Sequence, residues 1–204
     1  MKRAGLFISA IAGALLSSST FAAGPFGTIH VGDWKGGAYT DDTTGAFSHC
    51  GAAGHYLNGF NLAISQHPDR TWLILFESPT WNLPEGQSVP VELTFDGQSH
   101  FQIFGTATRG KIIRAILPDP AVNALRKSHL MVATEGQRSV DFKLPMVDKL
   151  VPMIINCVDR MKANGVAAAG DFSIAPPKPP VATAAGKSEI AVSESPSTPE
   201  KLSM

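Results

Sequence analysis

The residues of this chain that could perform chemistry lie close together in its first third. His49 and Cys50 are adjacent, and His55 lies six positions beyond His49. Imidazole and thiolate groups are common metal ligands. Asp41 and Asp42 could add carboxylate oxygens, although they lack the Asp-x-Asp-x-Asp-Gly pattern of a calcium loop and are more typical of a turn. A metal site that uses these four His and Asp residues is one hypothesis, and two imidazoles alone make a weak site.

Other patterns of catalysis or cofactor binding are missing from the sequence. The chain has no Gly-x-Ser-x-Gly, and no Ser-His-acid set is suggested by spacing. Its glycine-rich stretches lack the phosphate-loop pattern and the lysine of that loop. We therefore predict no catalytic residues and no cofactor.

Two of the three tryptophans are candidates for a binding surface. Trp34 and Trp81 lie in stretches typical of loops, whereas Trp72 lies in a predicted strand. Aromatic rings in loops can form a platform for a sugar or a peptide, and the alternative is that both rings pack over the edge of the core. The partner of such a surface would be an envelope protein, a host protein or a glycan.

The two ends of the chain differ from its middle. Lys2 and Arg3 precede an uncharged, mostly apolar run of 13 residues, and a small polar stretch follows up to Ala22. This pattern predicts a secretory signal peptide over residues 1–22, since the run is shorter than the roughly 20 residues that cross a membrane. We expect one domain over residues 24–165. Residues 166–204 are rich in Pro, Ala and Ser and are expected to form a disordered tail, either untethered, a spacer or a partner-binding segment.

The charges of the chain exclude one class of partner. The sequence has 17 Lys+Arg and 17 Asp+Glu, and removal of Lys2 and Arg3 leaves 15 basic residues against 17 acidic ones, a net charge of −2. Nucleic-acid binding needs a basic excess, so we do not expect it. No later stretch has transmembrane length, and we expect a mature chain that is soluble in the periplasm or secreted.

Both cysteines are predicted to point at the core of such an exported domain. Cys50 lies on a predicted strand over residues 46–52, and Cys157 lies on the apolar stripe of a predicted helix. Because exported proteins meet an oxidising compartment, we predict a disulfide between Cys50 and Cys157. The spacing is not Cys-x-x-Cys, so redox catalysis is not expected.

The middle of the chain is typical of short antiparallel strands. Residues 71–77 are apolar on both faces and predict a central strand. Residues 88–95 and 99–105 alternate around Asp96-Gly97, which predicts a hairpin. Only a loop with an odd number of residues places the apolar side chains of both strands on the same face of the hairpin. We therefore predict a loop of three or five residues, with Leu93 opposite Ser99 in the three-residue case. A strand (111–117), a short helix (119–127) and a last hairpin (129–134 and 138–144) follow.

The last predicted element is an amphipathic helix over residues 148–164. Its apolar residues Leu150, Ile154, Cys157 and Met161 recur at spacings of four, three and four, and Gly165 follows as a C-terminal cap. The pattern as a whole predicts a mainly β fold, an antiparallel β-sandwich or partly open barrel closed by one C-terminal helix.

Several segments resemble, in order, a known family. A tryptophan-bearing strand is followed by residues 81–86 (WNLPEG), by a strand ending in residues 95–97 (FDG), by residues 142–144 (FKL) and by the helix that carries residues 157–158. This layout is similar to the invasion-associated locus B family of small exported proteins from Gram-negative bacteria, although the chain lacks additional mid-domain cysteines. The resemblance implies a periplasmic or surface β-domain without known catalytic residues, involved in host contact or envelope function.

These features favour an exported, non-enzymatic binding or accessory protein of the bacterial envelope. The alternative is a periplasmic hydrolase or metal-dependent enzyme that uses His49 and His55 with Asp41 or Asp42. A carrier of a small ligand in an apolar interior stays open as a third hypothesis, because cavities cannot be read from a sequence.

Overall fold

The computed structural model of the protein describes residues 24–173. The expected signal peptide and residues 174–204 of the expected tail lie outside the described residues. Within them, the chain forms ten strands, β1 to β10, and two α-helices. In chain order they are β1 Phe26–Val31, β2 Trp34–Thr40, β3 Phe47–His55, β4 Asn61–Gln66, β5 Trp72–Glu77, β6 Ser88–Phe95, β7 Ser99–Thr108, β8 Ile112–Leu117, α1 Asp119–Lys127, β9 Leu130–Glu135, β10 Arg138–Lys143 and α2 Val147–Asn164.

The ten strands form one antiparallel sheet that does not close on itself. The strand order is β1-β2-β3-β4-β5-β8-β7-β6-β9-β10. The predicted mainly β fold with a C-terminal helix is confirmed, and the strands form a single open sheet where we had expected a sandwich or a partly open barrel. The predicted central strand is β5, which pairs with β4 on one side and β8 on the other.

The inner face of the sheet is covered in two different ways. Helix α2 packs against β1 to β4, where the Cys50–Cys157 disulfide joins it to β3. At the other end the sheet curls and brings β10 close to β5. Phe142 of β10 packs there against Phe76 of β5, with ring centroids 5.6 Å apart. The core therefore lies partly under a helix and partly between the curled end of the sheet and its central strand β5.

The hairpin of β6 and β7 shows how the apolar pattern sets the register. Phe95 pairs with Ser99 and Leu93 with Phe101, so the loop has three residues, as predicted. The loop is one residue later than expected and leaves Leu93 opposite Phe101 instead of Ser99. Asp96 and Gly97 both have positive φ, 47° and 69°, and Asp96 also accepts the backbone N–H groups of His129 and Leu130. That long-range hydrogen bonding stabilises Asp96 in a left-handed conformation unusual for a residue other than glycine.

The helices agree closely with the sequence pattern. Helix α1 spans the predicted residues 119–127 and buries Ala121, Val122 and Leu125. Helix α2 begins one residue earlier than predicted and ends at the expected cap, Gly165. Neither helix is both long and apolar enough to span a membrane, within residues 24–173.

The two edges of the sheet differ. The outer edge of β1 is covered by the segment that follows α2, since the N–H of Thr28 donates to the C=O of Gly170 and the N–H of Phe172 donates to the C=O of Thr28. The ordered chain thus continues beyond the expected boundary at Gly165, through a short 3-10 helix (Val166–Ala168) to the buried ring of Phe172. At the opposite edge, β10 pairs with β9 alone among residues 24–173.

Candidate functional site

An apolar cavity of about 210 Å³ lies where the curled end of the sheet meets β5. Ten of its 14 lining residues are apolar, and they come from five strands and two loops. The apolar residues are Phe60, Phe76, Trp81, Leu83, Val89, Val91, Ile113, Ala133, Val140 and Phe142. Such apolar walls favour an apolar group, because they offer water no hydrogen-bond partners.

Aromatic rings form one wall of the cavity. Phe142 packs edge-on against Phe60, with centroids 6.1 Å apart, and Phe60 packs edge-on against Trp81 at 5.4 Å. These are favourable quadrupole arrangements, and each ring fixes the next in place. Trp81, a predicted binding residue, is therefore half-buried in the cavity wall and does not stand free on a loop.

The opposite wall comes from strands that alternate between inner and outer faces. Val140 of β10 pairs with Ala133 of β9, which in turn pairs with Leu93 of β6. Ala133 is the smallest side chain in this row, and its short methyl group leaves room between larger neighbours. A small lining residue thus lies in the middle of an apolar row.

Polar groups lie at the mouth of the cavity. Gln87, Thr134, Glu135 and Arg138 complete its lining, and Glu135 pairs with Arg138 at the end of the last hairpin. Glu135 and Arg138 are exposed, and neither is in an ion pair with any residue from 24 to 173. The mouth therefore presents one acidic and one basic group to a ligand whose apolar part lies inside.

Trp34, the second predicted binding residue, lies elsewhere and has a structural role. Its side chain is 1 % exposed, and its indole Nε1–H donates to the backbone C=O of Pro145 at 3.0 Å. Trp34 and Trp81 do not form a common surface. For Trp34 the structure favours the alternative interpretation, packing into the core.

The two candidate metal-binding histidines lie far apart on the outer face of β3. A strand rises about 3.3 Å per residue, so the six positions between His49 and His55 correspond to about 20 Å, too far for a shared ion. His55 Nδ1 lies 2.6 Å from Asn61 Oδ1. His49 is stacked between Tyr39 and His67, with centroid distances of 4.9 and 5.5 Å. Burial, and then the nearby charges of His67 and Arg114, lower the pKa of His49 from 6.5 to about 4.

Asp41 and Asp42 lie in an exposed turn, as the simpler interpretation predicted. The Asp41 carboxylate accepts hydrogen bonds from the backbone N–H groups of Thr43 and Thr44 and from the Thr44 hydroxyl. The Thr44 bonds and then the Thr43 bond lower the pKa of Asp41. Among residues 24–173, no group of three or more His, Cys, Asp or Glu side chains is placed to hold a metal ion.

The predicted disulfide is confirmed. Cys50 and Cys157 are both fully buried, and their Cα atoms are 6.1 Å apart. The bond connects the middle of β3 to the apolar stripe of α2, which is the face with which the helix packs on the sheet.

Some of the cavity residues could have been found from the sequence and others could not. The alternation of Val140 and Phe142 predicts one apolar face of β10, and both residues line the cavity on that face. Phe60 follows a glycine in a turn and carries no pattern of its own. Its contribution depends on how the sheet curls, which a local pattern does not encode.

Comparisons with known proteins add a likeness of structure. No family model matches the chain, and no curated protein sequence matches it. The structure is similar to that of invasion associated protein B from Bartonella henselae, with a TM-score of 0.46 and 14 % sequence identity. The match covers 63 % of this chain and 95 % of that one. This likeness is to a protein of the same name as the family that the sequence layout resembles, and no functional residue is carried over from it.

Proposed function

We propose that this chain is an exported, non-enzymatic binding protein of the bacterial envelope whose cavity holds an apolar group of its ligand. The observation that carries this proposal is the cavity of about 210 Å³ with ten apolar lining residues. The polar groups at its mouth, Glu135 and Arg138 among them, would orient the ligand. Such a combination of apolar walls and few polar groups is typical of small-ligand sites.

The size of the cavity limits the apolar group. An engineered protein cavity of about 150 Å³ binds benzene, so this one has room for a single aromatic ring or a branched aliphatic group of about six carbons. Each buried CH₂ contributes about 0.8 kcal/mol, and association costs offset much of this gain. We therefore expect a Kd on the order of a millimolar for an isolated six-carbon probe. Tighter binding requires contacts outside the cavity.

Export to the periplasm or the cell exterior is part of the same proposal. Disulfides persist in oxidising compartments and are rare in the cytosol, and Cys50–Cys157 lies fully buried in the core. The signal peptide expected over residues 1–22 agrees with this location.

The position of the perturbed histidines supports binding over catalysis. His49 and His67, whose pKa values are lowered, lie on the outer face of the sheet, whereas the cavity lies on the inner face. These two histidines are thus separated from the site that would hold a ligand.

Titration of the protein with cyclohexanol and with toluene tests the proposal. We expect saturable ¹³C-methyl NMR shifts at Val89, Val91 and Ile113, which line the cavity. Val140→Phe should abolish these shifts because the larger ring fills the space. Val132→Phe is the matched control, since Val132 lies on β9 with its side chain on the outer face, opposite Asp141. Shifts that do not saturate, or that persist unchanged in Val140→Phe, would contradict the proposal.

A further inference from the structure

The free edge of β10 borders the cavity. The N–H of Leu144 donates to the C=O of His129, which fixes which residues direct their backbone groups toward β9. Because these groups alternate along an antiparallel pair, Arg138, Val140 and Phe142 also bond to β9. Ser139, Asp141 and Lys143 therefore direct their N–H and C=O groups away from the sheet.

One of the outward groups already has a partner. The hydroxyl of Tyr56 donates to the C=O of Lys143 at 2.7 Å, and burial and then the nearby Asp33 raise the pKa of Tyr56 to about 12. Tyr56 thus holds the end of β10 near the β3–β4 turn. Within residues 24–173, the outward backbone groups of Ser139 and Asp141 have no protein partner.

The same stretch of β10 presents a cavity on one face and a charge on the other. Val140 points inward and lines the cavity. Asp141 points outward, is exposed and has no ion-pair partner among residues 24–173. Side chains directly opposite each other on paired strands lie on the same face. In a strand added beside β10, the residue opposite Val140 would enter the cavity, and the residue opposite Asp141 would meet its carboxylate.

We propose that the ligand is an extended peptide segment that adds to β10 as an eleventh strand, with an apolar side chain in the cavity and a basic residue next to it in sequence. This inference rests on the proposed function and names its ligand class. The unpaired N–H and C=O groups of Ser139 and Asp141 match the alternating groups of a strand, and main-chain hydrogen bonds of this kind supply affinity in strand addition. Because Lys143 is itself basic, it would repel a second basic residue placed opposite it. The stretch of β10 that matches such a peptide is therefore short.

Three synthetic peptides test the inference on the full-length oxidised protein. The probe is acetyl-Ser-Lys-Leu-Lys-Ser-amide, in which lysines flank leucine so that either strand direction places a base opposite Asp141. One control replaces leucine with asparagine, and the other carries N-methyl groups on both lysines, which block backbone pairing. We expect the N-methylated peptide to bind at least about tenfold more weakly, because it loses two main-chain hydrogen bonds to β10.

A charge reversal provides a second measurement that does not alter the core. Asp141→Lys should weaken binding of the probe about two- to fivefold, as expected for an exposed charge pair. Asp42→Lys, an equal change of charge in a remote exposed turn, should leave binding unchanged. Amide NMR signals of Ser139 and Asp141 should shift with the probe and become protected from hydrogen exchange.

The outcomes separate this inference from the proposed function. If cyclohexanol shifts the cavity methyl groups but the N-methylated peptide binds as well as the probe, strand addition is wrong and the cavity proposal stands. If neither cyclohexanol nor the probe shifts those methyl groups, both fail. Protection of the Ser139 and Asp141 amides before any peptide is added would also overturn the inference. If that protection is independent of protein concentration, the edge is covered by residues of this chain outside 24–173. If it rises with protein concentration, the edge is covered by a second copy of the chain.

Discussion

His49 lies in an environment that disfavours its charged form. It lies between the rings of Tyr39 and His67, and its pKa is lowered to about 4, chiefly by burial. The unfolded chain binds a proton at His49 as the pH falls through 6.5, whereas the folded chain does so only near pH 4. The contribution of neutral His49 to the free energy of unfolding is therefore fully present above pH 6.5. It is lost as the pH is lowered toward 4.

This pH dependence gives a prediction for His49→Phe. Phenylalanine keeps the stack but cannot titrate, so the loss of unfolding free energy between pH 6.5 and 4, on the order of 3 kcal/mol for a shift of this size, should become smaller. Urea unfolding at several pH values measures it. His55→Phe, which places a phenylalanine on the same face of β3, is the control. An equal slope in His49→Phe would show that His49 is not the residue responsible.

At the scale of elements, the disulfide joins two that are distant in sequence. Cys50 and Cys157 are separated by 107 positions, so the bond restricts a long loop in the unfolded chain. In the chain-entropy model a loop of this length contributes about 4–5 kcal/mol. The bond therefore provides a large share of the 5–15 kcal/mol that is typical for a domain.

We predict that the double variant Cys50→Ala, Cys157→Ala unfolds at a free energy about 3–5 kcal/mol lower than the parent protein. Chemical denaturation measures the difference. A reducing agent should lower the stability of the parent protein toward that of the variant and leave the variant unchanged. Equal stability of oxidised and reduced parent protein would contradict this role.

At the scale of the whole molecule, the segment after α2 belongs to the folded unit. The ring of Phe172 is 1 % exposed, the Arg160 guanidinium lies 5.0 Å above its centroid, and Asn156 Nδ2 donates to its backbone C=O at 2.8 Å. These contacts hold the segment against α2, although its composition is that of a tail.

Phe172→Ala should therefore lower the free energy of unfolding by about 3–5 kcal/mol, as for other buried aromatic residues. Phe104→Ala is the matched control. Its ring is 66 % exposed, so the change should be within about 0.5 kcal/mol. If both variants were equally stable, Phe172 would not be part of the core in solution.

The sequence predicted those features that depend on local pattern. The alternation of β6 and β7 gave the length of their loop, and the spacing of Leu150, Ile154 and Cys157 gave α2 and one partner of the disulfide. The crossing order of β5 to β9 and the cavity depend on contacts between distant segments, such as Phe60 with Phe142. The packing of Phe172 was missed because a single apolar residue among Ala, Gly and Pro has no period to reveal it.

The unequal edges of the sheet also decide how two copies could associate. An edge-to-edge contact needs exposed backbone groups on both strands, and within residues 24–173 the β1 edge is occupied by Gly170 and Phe172. Only β10 against β10 is then open, and a contact of a surface with itself is isologous and closes at two copies. Through the edges of residues 24–173, such a sheet can therefore form a pair but offers no second open edge to a further copy.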